Sequence, residues 1–410
     1  MNDEDTIISN SAEVAATGGD IVYAGGIIGK TDGTIVYSNA TISSGAVNID
    51  APAAAGSYAG GLIGGVGAVQ NPDIIMAFDH SAPVTNNGGT NVYTGAIAGY
   101  ADSPLTWTAG YNNTSPVTAT GSQHIYTGGY IGYAAQGLVL NNPASAAYQN
   151  TAAITVSGGA DVYTGGFAGY DAGGHITHAS FSGSLNVTGT ANFYTGGLTG
   201  YETGGGIAAC KAGKAADDYK VITSDGTIGG IAGYLDGTIS NSTVKHITLK
   251  ATSEGGVLGG IAGSAQGTIT GVLAGDAGGT DYNSLRMEAA AAAPAADGRD
   301  NIKAGGIVGI NDQALVLTGS KAAKIGFITA TGRSGYTFGG VAGRLNTEAS
   351  LGTKAQDVEA SDILVGMTED QVIFGGAVGM NRASALALQN KRIEIRAMAS
   401  QGFAGGTIDV

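Results

Sequence analysis

Tyr163-Thr164-Gly165-Gly166-Phe167-Ala168-Gly169-Tyr170 decides the fold, because near-copies of this stretch run the length of the chain. YAGGIIG begins at Tyr23, YAGGLIG at Tyr58, YTGAIAG at Tyr93, YTGGYIG at Tyr126 and YTGGLTG at Tyr194. Further copies begin at Thr227, Val257, Lys303, Thr337 and Ile373, and a last one, FAGGTID, at Phe403. The twelve copies are spaced 35, 35, 33, 37, 31, 33, 30, 46, 34, 36 and 30 residues apart. A period in this range marks a solenoid or array, in which each repeat buries its apolar face only against its neighbours.

Two further segments complete the unit. One is Gly-Thr-Ile-x-x-Ser, as in Gly237-Thr238-Ile239-Ser240-Asn241-Ser242, and Asp5-Thr6-Ile7 opens an earlier instance. The other alternates, as in Ala153-Ile154-Thr155-Val156, and returns through turns such as Gly158-Gly159-Ala160-Asp161. Three strands of about five residues plus three turns account for roughly 33 residues. The expected fold is therefore all-β: a parallel β-helix or β-solenoid of about twelve coils of roughly 30–37 residues, about three strands per coil, forming one domain over residues 1–410. Twelve levels at a strand spacing of about 4.8 Å predict a rod roughly 55–60 Å long. Propellers usually carry four to eight blades, so twelve copies speak against one.

Strict alternation along the motif, with Tyr163 as its first position, puts positions one, three, five and seven on one face. The fifth position runs Ile27, Leu62, Ile97, Tyr130, Phe167, Leu198, Ile231, Ile261, Ile307, Val341, Ala377 and Thr407, which reads as a core column. Glycine holds the third position in all twelve copies and the seventh in all but the last, which has Asp409; this suits close backbone approach. The opposite face starts as a threonine ladder, Thr94, Thr127, Thr164 and Thr195, and changes to Ile228, Leu258, Phe338 and Phe374. The spacing of 46 marks an insertion in the coil around 280–300. Leu285-Arg286-Met287-Glu288 followed by Ala289 to Ala293 and Pro294 predicts a short helix there, on a loop excursion outside the coil.

Glycine makes up 73 of 410 residues, yet 43% of residues are hydrophobic, so the chain reads as ordered β structure, not a flexible linker. Charged residues are only 12% and the net charge is -14. Residues 1–200 hold 12 Asp/Glu and a single base, Lys30. Phosphate binding needs a basic stripe, so nucleic acid is not an expected partner. One cysteine, Cys210, excludes an intrachain disulfide and reads as a small packed residue. No apolar run is long enough for a transmembrane segment, and Met-Asn-Asp-Glu-Asp opens the chain without the basic and apolar regions of a signal peptide.

Catalytic motifs are missing: there is no HExxH, no Walker-type loop and no GxSxG elbow. His175 and His178, three apart on a strand, face opposite sides and do not suit a shared metal. Asp161, Asp171 and Glu202 come near one another on successive coils, where a polysaccharide-acting β-helix enzyme would need paired carboxylates. Turn chemistry alone accounts for Asp161 and Asp171. Gly158-Gly159-Ala160-Asp161 matches the calcium-binding glycine–aspartate repeat only in part and is not sustained.

The tyrosines form two columns: Tyr23, Tyr58, Tyr93, Tyr126, Tyr163 and Tyr194, and Tyr100, Tyr133, Tyr170, Tyr201 and Tyr234. The first reading is aromatic stacking between coils, worth roughly 0.5–1.5 kcal/mol per pair. The second is a platform for a sugar or a protein, centred on Tyr93, Tyr126, Tyr163 and Tyr194. An ice-binding role would need the threonine ladder to face outward.

The motif followed by Gly-Thr-Ile-x-x-Ser and an alternating strand, clearest from Gly229 to Ser242, resembles the GLUG-motif repeats of bacterial surface proteins. The resemblance covers nearly the whole chain as a repeat type. It implies a β-solenoid in an extracellular, adhesin-like or fibrous role, and it brings no catalytic residues or cofactors. The expectation is a non-enzymatic structural or adhesive protein of the cell surface, with a surface protein or glycan as partner. The alternative is a carbohydrate-binding or polysaccharide-degrading protein with its site near Asp161–Glu202. The chain starts within a repeat at Asp5-Thr6-Ile7 and stops within one at Gly406-Thr407-Ile408, so head-to-tail self-association into filaments is a further expectation.

Overall fold

The computed structural model is all-β, and its strands stack in parallel as a β-solenoid. It describes residues 6–33, 40–68, 73–74, 77–107, 110–141, 148–214, 220–253, 255–278, 284–289, 302–328, 335–351, 358–366, 372–382 and 386–388. Two compact units divide the chain: residues 1–193 with 198–206, and residues 194–197 with 207–410.

In the first unit the glycine motif supplies five parallel strands in register: Ile21–Gly25, Gly56–Gly60, Asn91–Gly95, His124–Gly128 and Asp161–Gly165. In the second, residues 194–196 pair with Thr227–Gly229, followed by Val257–Gly259, Ile302–Gly305, Tyr336–Gly339 and Val372–Gly375. These five and six levels fall short of the twelve coils expected, and the copy from Phe403, with the expected chain-end strand at Gly406, lies outside the described residues.

A coil has three faces, as the sequence implies, but the motif is not one strand. It ends as a strand at Gly165, bends at Gly166–Phe167 and resumes as Ala168–Ala172 in the next sheet. His175–Thr177 continues that second sheet, and Ala179–Phe181 with Ser184–Thr188 forms the third. The bend overturns the strict alternation expected of the motif. Tyr163 and Tyr170 both face outward, while Thr164 and Phe167 both face the core.

The corner has a fixed hydrogen-bond pattern. The carbonyl of Phe167 accepts the amides of both Tyr130 and Ile131 at 2.9 Å, and that of Tyr130 accepts Ile97 and Ala98 at 3.0 Å. In the second unit the Ile261 carbonyl accepts Ile231 and Ala232 at 2.8 and 3.1 Å. Two sheets meeting this tightly leave no room for a side chain. A Cβ on Gly169 would lie 2.5 Å from the Thr127 amide nitrogen and 2.6 Å from the Gly132 carbonyl oxygen, both backbone atoms that cannot yield.

The fifth-position column is buried as expected from Leu62 through Val341. The threonine ladder is inward too: Thr94, Thr127, Thr164 and Thr195 are 0% exposed, which removes the outward array that ice binding needs. The same inward position in the second unit carries Ile228, Leu258 and Phe338. Trp107, Tyr130, Tyr148, Phe167 and Phe181 are the largest fully buried side chains of the first unit.

The insertion also departs from expectation. Leu285–Ala289 is a strand, paired with Ile247–Ala251 on one side and Ile325–Ile328 on the other. Leu285, Met287 and Ala289 point inward, and Arg286 and Glu288 point out and pair at 2.6 Å. Backbone pairing on both edges and a period-two apolar face override the helix propensity of the residue types. Ala290 to Ala293 and Pro294 lie outside the described residues.

Candidate functional site

The bend at the motif brings the outward faces of two sheets toward each other, and tyrosines line the seam. Tyr23, Tyr58, Tyr93, Tyr126 and Tyr163 stack face to face with centroids 4.3, 4.6, 5.0 and 5.0 Å apart. Parallel register sets this spacing, because equivalent residues repeat about every 4.8 Å. Tyr100, Tyr133, Tyr170 and Tyr201 form a second stack, at 5.4, 4.7 and 5.1 Å. The two stacks meet edge to face, as in Tyr126–Tyr133 at 4.9 Å and 90° and Tyr163–Tyr170 at 5.9 Å and 81°.

The nine rings are half-buried. Burial, then the neighbouring tyrosines, pushes the hydroxyls of Tyr58, Tyr93, Tyr126 and Tyr133 above the usual range. On Tyr100, burial is followed by the hydrogen bond it donates to Asp102 at 2.9 Å. The seam is thus a neutral aromatic lattice. Of the expected platform residues, Tyr93, Tyr126 and Tyr163 stand together in it. Tyr194 belongs to the second unit, where it packs edge-on to Tyr234 at 5.7 Å and 75°.

The carboxylates of the alternative site separate. Asp161 starts an outward-facing position, bonded to His124 at 2.9 Å and to the Asn192 amide at 2.8 Å. Asp171 and Glu202 do come together, directly opposite in register, but both point inward and are 0% exposed. Asp171 Oδ1 accepts the Leu138 amide at 2.8 Å. Burial pushes its carboxyl up to about 7, and burial plus the neighbouring Asp171 pushes Glu202 well above the carboxylate range. Two facing buried carboxyls are stable only with at least one protonated. A pair with no exposed atoms offers no surface to a polymeric substrate. His175 is exposed, and His178 sits at the next corner with φ 56°, so the two do not share a strand. Among the described residues no group of three His, Cys, Asp or Glu side chains could hold a metal ion, and no helix is long and apolar enough to cross a membrane. Cys210 is buried.

Reading the sequence for columns missed an inner clamp on the bend. Asn113 Nδ2 donates to the Gly129 carbonyl at 2.8 Å and Asn10 Nδ2 to that of Gly26 at 2.8 Å, and Asn150 Nδ2 donates to Gly166. Asn113 and Asn150 are fully buried, and their side-chain oxygens accept the amides of Ser115 and Ala152 at 2.9 Å. The signal was present as a constant separation of 16 residues between asparagine and the fourth motif position. Comparison of the chain with family models, with curated proteins and with solved structures gives no match.

Proposed function

We propose that the chain is a non-enzymatic structural or adhesive β-solenoid of the cell exterior. The observation that carries this reading is the use made of the repeat's side chains. Its outward tyrosines stack on one another from level to level, and its facing carboxylates are sealed in the core. Both arrangements spend reactive or recognition-type residues on cohesion between coils. The low charge content and the resemblance of the motif to GLUG repeats support a surface role. Self-association belongs to the same proposal, since the edge of a parallel ladder offers backbone groups to another chain.

Incubation with a panel of plant, algal and bacterial polysaccharides tests the non-enzymatic part. The expected result is no release of reducing ends and no unsaturated product. Turnover that disappears in Asp171→Asn would overturn it. Sedimentation velocity over a concentration series tests self-association: growth in size with concentration is expected, and a strictly monomeric species at the highest concentration would remove that part.

A further inference from the structure

The second tyrosine stack has a gap. Its position is held by Lys30, Gly65, Tyr100, Tyr133, Tyr170 and Tyr201 on successive levels, paired in register as Lys30↔Gly65 and Gly65↔Tyr100. Tyr100 therefore stacks on Tyr133 on one side, and on the other it has only the edge of Tyr58, 5.9 Å away at 81°, because glycine stands where the next stacked tyrosine belongs. The Tyr23 ring leans over Gly65, its Cε1 2.7 Å from where a Cβ would stand, and beside it lies a cavity of about 280 Å³. Its lining includes Gly65, the rings of Tyr23, Tyr58 and Tyr100, and the charged side chains of Lys30, Asp32 and Asp102.

The polar groups at the rim are already oriented. Lys30 Nζ pairs with Asp32 at 3.2 Å and lies 5.7 Å from the centre of the Tyr23 ring. Asp102 accepts the Tyr100 hydroxyl at 2.9 Å. Two levels separate Lys30 from Tyr100, roughly 9–10 Å, enough for one six-membered ring in van der Waals contact with Tyr100.

We propose that this gap is a binding site for a pyranose sugar, seated as the absent member of the stack. A pyranose has an apolar C–H face and a rim of hydroxyls. The face would lie on Tyr100, and the hydroxyls would donate to Asp32 and Asp102 and accept from Lys30. A flat aromatic group would fit the same slot but would leave the three charged rim groups facing carbon. The proposal gives the adhesive reading a ligand class, yet it stands on the geometry of the gap. A soluble, non-adhesive protein with this pocket would bind the sugar equally well.

Saturation-transfer NMR with the intact chain tests it, using methyl glucoside, methyl galactoside, methyl mannoside and N-acetylglucosamine as probes, with p-cresol as the aromatic competitor. At least one sugar is expected to bind with a dissociation constant on the order of millimolar. Gly65→Tyr, whose Cβ would stand 2.7 Å from the Tyr23 ring and so displaces it while filling the slot, should abolish the signal. Tyr100→Ala should weaken binding by about tenfold. The proposal is overturned if no sugar binds at tens of millimolar, if p-cresol alone binds, or if Gly65→Tyr binds as the parent does. None of these outcomes bears on self-association or on polysaccharide turnover, so the broader reading fails or survives separately.

Discussion

The two units solve one corner in two ways. Both bend the motif at the same glycines and both hang two amides on a single fifth-position carbonyl. In the first unit the bend is clamped from inside by Asn10, Asn113 and Asn150 and braced outside by stacked tyrosines. In the second, the residue facing the fourth motif position is Ala212, Val244, Ala274, Ala322 or Ala360, and the first motif position carries Thr227, Val257, Lys303 and Thr337 in place of a tyrosine stack. The buried carboxylate column changes likewise, from Asp171 opposite Glu202 to Leu235 opposite Ala265. The backbone corner is thus the invariant part, and the side chains around it are alternative ways of filling the same space.

Substituting the corner itself should give the largest effect, and the same effect in both units. Gly169→Val in the first and Gly343→Val in the second each force a Cβ against backbone atoms, within 2.5–2.7 Å of the nearest in each case. Each should cost about 4 kcal/mol or more by denaturant unfolding. A loss in one unit alone would break the claim that the corner is common.

The carboxylate column should make the first unit sensitive to pH. The Asp171 carboxyl is raised from 3.8 to about 7 in the folded chain, so its contribution is fully present below pH 4 and is lost as pH rises through 7. Glu202, which burial and the neighbouring Asp171 also raise well above the carboxylate range, adds a loss of the same sign. Asp171→Asn should flatten thermal stability between pH 4 and 8, and an unchanged profile would show that the pair does not titrate as placed.

The clamp is the next test. Asn150→Val gives the first unit the residue type that Val244 gives the second, but strands the Gly166 carbonyl without its donor. Unfolding free energy should fall by about 1–3 kcal/mol. The smallest effect belongs to the inward threonines. Thr127 Oγ1 is buried with no hydrogen-bond partner, and its counterparts in the second unit are Ile228 and Leu258. Thr127→Val should therefore be neutral or stabilising by up to about 1 kcal/mol in a melting experiment. A marked loss would mean that the two fillings are not interchangeable.

Much of this was legible because a repeat displays its columns directly. The fifth-position core, the tyrosine stacks and the parallel register all follow from the motif spacing. The faces did not, because alternation assumes an unbroken strand, and the bend at Gly166–Phe167 resets the phase between Tyr163 and Tyr170. The strand at Leu285–Ala289 was hidden by helix-favouring residue types, which yield when neighbouring coils offer pairing on both edges. At Asp171 and Glu202 the sequence shows proximity but not direction, and direction separates a cleft from a core. The Gly65 gap was also readable as one glycine in a tyrosine column. Its depth depends on where the walls stand.

The central claim is that the corner is a rigid, level-to-level hydrogen-bonded element shared by both units. Native-state hydrogen exchange tests it most directly. The amides of Tyr130, Ile131 and Phe167 in the first unit, and of Ile231, Ala232 and Ile261 in the second, should rank among the slowest to exchange, since each donates to a carbonyl one level away at 2.8–3.1 Å. Exchange of these amides at the rate of exposed turns, in either unit, would contradict it.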